Sequence, residues 1–81
     1  MIGKNLAEDP YEHLANAIIL SAVSDYRAAL KRVKCNQESK TAMDEALRIE
    51  KFFRSHWYQQ LTSVDGEFLI RRLQDEIRQS E

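Results

Sequence analysis

Apolar residues return every three or four positions along three separate stretches of the chain, and nowhere do they alternate one by one. A period near 3.6 marks one face of an α-helix and a period of 2 marks a strand. The pattern predicts an all-α fold: a small three-helix bundle with a long first helix and a short extra helical turn between the second and third. In the first stretch Tyr11, Leu14, Ala15, Ile18, Ala22, Tyr26, Ala29, Leu30 and Val33 share one face. Ile19, Leu20 and Val23 widen that face, so the middle of this helix is expected to be contacted from two sides. Asp9, Pro10 and Glu12 stand as N-cap, first helical residue and capping-box acid, which starts the helix there and carries it to about Lys34.

The polar run Cys35 to Lys40 predicts a turn. A second helix follows to about Arg54, with Met43, Ala46, Leu47, Glu50 and Phe53 expected on its inward edge and Ile49 and Phe52 beside them. Ser55 is expected to cap a short continuation, His56 to Leu61, before a break at Thr62, Ser63 and Asp65. Asp65 then serves as N-cap of the last helix, with Val64 and Leu69 in hydrophobic-staple register. Leu69, Ile70, Leu73 and Ile77 form its apolar stripe, and Arg71, Arg72, Asp75, Glu76 and Arg78 cover the other side. The organisation expected is a flexible segment over residues 1–8 and one helical domain over residues 9–79.

Composition narrows the function classes. Twelve Lys and Arg stand against 13 Asp and Glu, so no global field draws the chain to nucleic acid or an anionic membrane, and any such binding needs a local patch. A chain of 81 residues carries one modest core, burying about 60% of the surface that its unfolded form exposes. Cys35 is the only cysteine, which excludes an internal disulfide and fits a reducing compartment. The start, MIGKNLAEDP, lacks the apolar core of a secretory signal, and the longest nearly apolar run, Leu14 to Val23, is about half of a bilayer span. A soluble protein of the cytoplasm is expected.

Reaction chemistry is thin. His13 and His56 have no Cys, His or carboxylate at metal-ligand spacing, so no metal and no cofactor are expected. Cys35 near a helix C-terminus sits where the dipole disfavours a thiolate. Ser55 and His56 are adjacent, and adjacent residues do not face each other on a helix. No glycine-rich phosphate loop or paired-carboxylate motif occurs, and the chain reads as a non-enzyme.

Binding chemistry has more to offer. The stretch FFRSHWYQQL is dense in aromatics; Phe52, Phe53, Trp57, Tyr58, Leu61 and Phe68 are expected to form an aromatic mini-core where the second helix turns toward the last. The same stretch supplies a candidate recognition patch, Arg54, His56, Trp57 and Tyr58, because Trp, Tyr and Arg most often anchor interfaces. The two readings are compatible if one aromatic faces in and another out. Lys31 and Arg32, followed by Lys34, end the first helix, and Arg71 and Arg72 lie on the last, which makes them nucleic-acid-binding candidates if the two ends meet. The plainer reading of the first group is that cations complement a helix C-terminus, and Asp75 and Glu76 would meet phosphates unfavourably.

From Ala17 to Arg78 the sequence resembles short helical proteins encoded by phages and mobile elements of Gram-positive bacteria. The residues that carry the likeness are DYRAAL at Asp25 to Leu30 and IEKFFRSHWYQQLTSVDGEFLIRRL at Ile49 to Leu73. The MIGKNLAEDPYEH start departs from that group. The resemblance implies a phage or mobile-element origin and brings no catalytic residues. The expected function is an accessory protein that acts by binding a host protein, of the type that inhibits a defence nuclease such as a CRISPR effector, with Asp44, Glu45, Asp75 and Glu76 imitating phosphates toward a basic channel. The alternatives are a DNA-binding transcriptional regulator using the basic residues, and a structural homodimer that buries Ile19, Leu20 and Val23 against a second copy.

Overall fold

A computed structural model describes residues 10–79, which are helical with short connections. The element order is α1 (Pro10–Cys35), α2 (Lys40–Phe53), α3 (His56–Leu61) and α4 (Gly66–Gln79). Among the described residues there is no strand, and the four helices make a small bundle. The expected N-cap, Asp9, and residues 1–8 lie outside the described residues; Pro10 is the first residue of α1, where its missing N–H costs no hydrogen bond.

The connections follow local chemistry. After α1 the Asn36 N–H donates to Arg32 O at 2.9 Å, the Ser39 N–H donates to Asn36 O at 3.0 Å, and Asn36 Oδ1 accepts from the Glu38 N–H at 3.2 Å. Ser39 then caps α2, its Oγ accepting from the Ala42 N–H at 3.2 Å. Between α2 and α3 a single hydroxyl joins two helix ends: Ser55 Oγ donates to Phe52 O at 2.6 Å and accepts from the Tyr58 N–H at 3.1 Å. The chain therefore bends without leaving either helix end unsatisfied.

α2 folds back along α1, and α4 lies against both. Lys34 Nζ donates to Ile77 O at 2.8 Å, so α1 and α4 end together. The buried centre is Tyr26, Ala29, Ala46, Phe53, Tyr58, Ile70 and Leu73, with Ile19, Ala22, Val23, Leu30, Ile49, Phe52 and Leu69 packed around it. The stripe of α4 is as expected: Ile70, Leu73 and Ile77 are buried and Leu69 is half-buried.

Two expected faces are corrected. The inward edge of α2 runs through Ala42, Ala46 and Phe53, and Met43 and Leu47 point outward. Alanines at this seam let two helix backbones approach closely, and a 100° rotation away from them carries Met43 and Leu47 to the surface. The first helix is contacted from two sides only in part: Ile19 and Val23 reach the core, but Leu20 is 66% exposed, and Tyr11 and Leu14 are exposed as well.

Candidate functional site

The aromatic stretch divides between inside and outside. Phe53 and Tyr58 are buried, with ring centroids 5.7 Å apart and planes at 87°. Phe52 touches both edge-on or tilted, at 5.6 and 5.7 Å, and holds Trp57 in a T-shaped contact at 5.5 Å. Edge-to-face pairs of this kind fix ring orientation as well as burying area. Trp57 nevertheless stays 56% exposed, and Phe68 stays 57% exposed on the outer side of α4, so neither belongs to the mini-core. Tyr58, at 1% exposure, leaves the recognition patch: a partner reaches it only by unfolding the elbow.

The remaining members of that patch differ in freedom. Arg54 Nη1 lies 3.4 Å from Glu50 Oε1, and its Nε donates to Glu67, so its charge is matched from two helices. The hydrogen bond to Arg54 holds the Glu67 carboxyl below its ordinary range, and Glu67 in return raises the guanidinium. His56 is exposed, with Nε2 3.2 Å from Gln60 Nε2. On the neighbouring helix the Tyr11 hydroxyl donates to Gln60 O at 3.2 Å, which ties the first turn of α1 to α3. Tyr11, Leu14 and Trp57, each more than half exposed, flank this α1–α3 contact.

The charged candidates do not converge. Glu45 pairs with Arg48 at 3.5 Å, Asp75 with Arg78 at 2.9 Å and Glu76 with Arg27 at 3.0 Å. Three of the four carboxylates expected to imitate phosphates thus carry their own cations, and Asp44 stands apart on α2. Lys31 and Arg32 are successive, so they leave α1 about 100° apart, and Arg71 and Arg72 do the same on α4. The end of α1 meets α4 at Ile77 through Lys34 Nζ, more than one turn beyond Arg72, and beside that contact Arg27 of α1 is bound by the acidic Glu76 of α4.

Three side chains hold the three long helices in register: Tyr26 and Glu50, both at positions expected to face inward, and Gln74, which the pattern did not single out. The Tyr26 hydroxyl donates to Glu50 Oε2 at 2.6 Å and accepts from Gln74 Nε2 at 3.1 Å. Burial first and the Glu50 carboxylate second push the Tyr26 phenol far above its ordinary value. The one sequence signal for this network is Glu50, a carboxylate in an inward register.

A cleft of about 490 Å³ opens at the elbow, lined by Phe53, Arg54, Gln59 and the connection from Thr62 to Glu67. Its lining includes no histidine or cysteine, and its arginine is already matched by carboxylates. Among the described residues no cluster of three metal-ligating side chains occurs, and no helix is long and apolar enough to cross a membrane. Cys35 is free and exposed.

Compared with known proteins, the chain matches no family model, no curated protein and no solved structure.

Proposed function

We propose that the chain is a non-catalytic binding protein that engages another protein through the α1–α3 edge centred on Trp57. The observation that supports this is the placement of Trp57. A tryptophan free to bury itself would join Phe53 and Tyr58 in the core, yet this one is more than half exposed, and Phe52 fixes its ring edge-on. A large ring already held in place loses little conformational freedom on binding, which is why such residues dominate interface energetics. Tyr11 and Leu14 extend the apolar surface, and His56 supplies a polar rim. From the likeness to phage and mobile-element proteins, the partner class is a host protein of the defence-nuclease type.

The test is capture of partners from a Gram-positive host lysate by the tagged protein and by a Trp57→Ala variant, each with and without nuclease treatment. Expected is a protein retained by the wild type after nuclease treatment, with at least about tenfold less retained by the variant, whose helicity is unchanged by circular dichroism. Recovery of nucleic acid alone, lost on nuclease treatment, would overturn the proposal in favour of a DNA-binding regulator.

A further inference from the structure

The outer strip of α2 carries two side chains of the wrong polarity for water. Met43 is 42% exposed and Leu47 is 51% exposed, one turn apart. Beside them Asp44, Leu47, Arg48 and Lys51 line a shallow depression. Their spacing of i, i+3, i+4 and i+7 is that of the four-residue hole which receives a knob from a facing helix. A similar depression on α4, lined by Arg72, Asp75, Glu76 and Gln79, is polar all round and offers a knob nothing apolar. The α2 hole has a leucine in its wall and a methionine alongside.

Charge selects the occupant. Asp44 and Lys51 are exposed and, among the described residues, neither has an ion-pair partner. They stand seven residues apart, two turns along the same strip. We propose that this strip is a homodimer interface, in which α2 pairs antiparallel with α2 of a second copy about a two-fold axis beside Leu47. The axis lies midway between Asp44 and Lys51, so Asp44 of each copy faces Lys51 of the other and both unmatched charges are matched twice over. Arg48, next to the axis, meets the other copy's Arg48, with each charge offset by Glu45 of its own helix at 3.5 Å. Met43 and Leu47 of each copy then fill the space against the other. At the ends of the pairing Lys40 comes nearest the other copy's Arg54, whose charge Glu50 and Glu67 already match. An amphipathic helix from a different protein would need to reproduce this order of charges, whereas a second copy has it by symmetry.

Helices of 14 residues, about 21 Å, bury less than the roughly 800 Å² per partner of a stable complex, so the dimer is weak. The experiment is sedimentation equilibrium of the whole chain between about 10 µM and 1 mM. It is run on the wild type, on Leu47→Glu, on the single reversals Asp44→Lys and Lys51→Asp, and on the two reversals combined, with circular dichroism confirming that each is helical. Expected is a monomer–dimer equilibrium that Leu47→Glu abolishes. Each single reversal turns both cross-pairs repulsive and weakens it by about tenfold or more, and the combined variant recovers to within about threefold of wild type. A chain that stays monomeric at 1 mM overturns the proposal, and so does a dimer that survives Leu47→Glu or a combined variant that fails to recover. Trp57→Ala leaves this dimer intact, so its outcome is read separately from that of partner capture.

Discussion

The two halves of α1 live in different surroundings although their sequences are similarly apolar. From about Tyr26 onward the helix is enclosed by α2 and α4: Tyr26 and Ala29 are buried, and Arg27 and Lys34 are bound to α4. Before Tyr26 the cover is one-sided: Ala15 is buried, Ile19, Ala22 and Val23 pack on the core and α3 ties the first turn, but Tyr11, Leu14 and Leu20 remain in water. The cause is length. α1 has 26 residues and is about 39 Å long, while α4 has 14 and reaches about 21 Å back from their shared end. An apolar pattern therefore marks where a helix can be covered, and the lengths of its neighbours decide where it is. The enclosed half holds the fold together, and the open half carries the surface proposed for binding.

The largest effect on this contrast is expected where α4 docks. A Cβ on Gly66 would overlap the carbonyl oxygen of Phe53 and come within 3.0 Å of its carbonyl carbon, so the obstacle is backbone, which cannot rotate aside. Gly66→Ala should cost about 3 kcal/mol, or about 15 °C in Tm for a domain of this size, read by thermal melting. A loss under about 1 kcal/mol would mean that α4 does not start against the end of α2.

Next come the two buried tyrosines, which separate a satisfied hydroxyl from an unsatisfied one. Tyr26→Phe leaves the half-buried Glu50 carboxylate without its 2.6 Å donor and should cost about 2 kcal/mol in urea unfolding. The Tyr58 hydroxyl is buried with no hydrogen-bond partner among the described residues, so Tyr58→Phe should be neutral or stabilising. Equal losses in both variants would refute the distinction. The wild type should also lose stability as pH rises above 10. There the unfolded chain ionises Tyr26, whereas the folded chain, with the pKa raised by burial and by Glu50, holds the proton. Tyr26→Phe should reduce that alkaline loss, leaving the part contributed by Tyr58, whose phenol is also pushed up by burial and by Asp65.

Much of the frame was legible because helix ends are written locally. Ser55 and the run His56 to Leu61 are a cap and its helix, and the step after Asp65 is the start of α4. The inward edge of α2 was read in part: Ala46 and Phe53 are buried as expected, but large side chains draw the eye to Met43 and Leu47, whereas close packing of two helices selects the small Ala42. The Tyr26–Glu50–Gln74 network joins residues 24 and 48 positions apart, and no periodicity connects such partners. Within the candidate patch the types of residue were readable. That Trp57 faces out and Tyr58 in depends on the angle of α3, which the Ser55 hydroxyl sets through its bonds to Phe52 and Tyr58.

The smallest effects sharpen the comparison most, because they ask whether the open half contributes anything to stability. Leu20 is 66% exposed and Leu73 only 3%. The same exchange at both positions removes the same hydrophobic group from two surroundings. Leu20→Ser should change stability by no more than about 0.5 kcal/mol, while the buried reference Leu73→Ser should approach the cost of Gly66→Ala, about 3 kcal/mol, since it opens a cavity and buries a hydroxyl. Urea unfolding of both variants at low micromolar concentration, where the α2 pairing is dissociated, measures the two differences against one baseline. If Leu20→Ser cost as much as Leu73→Ser, the N-terminal half of α1 would be covered in the free protein, and the surface around Tyr11, Leu14 and Trp57 would have to be reassigned from partner binding to the core.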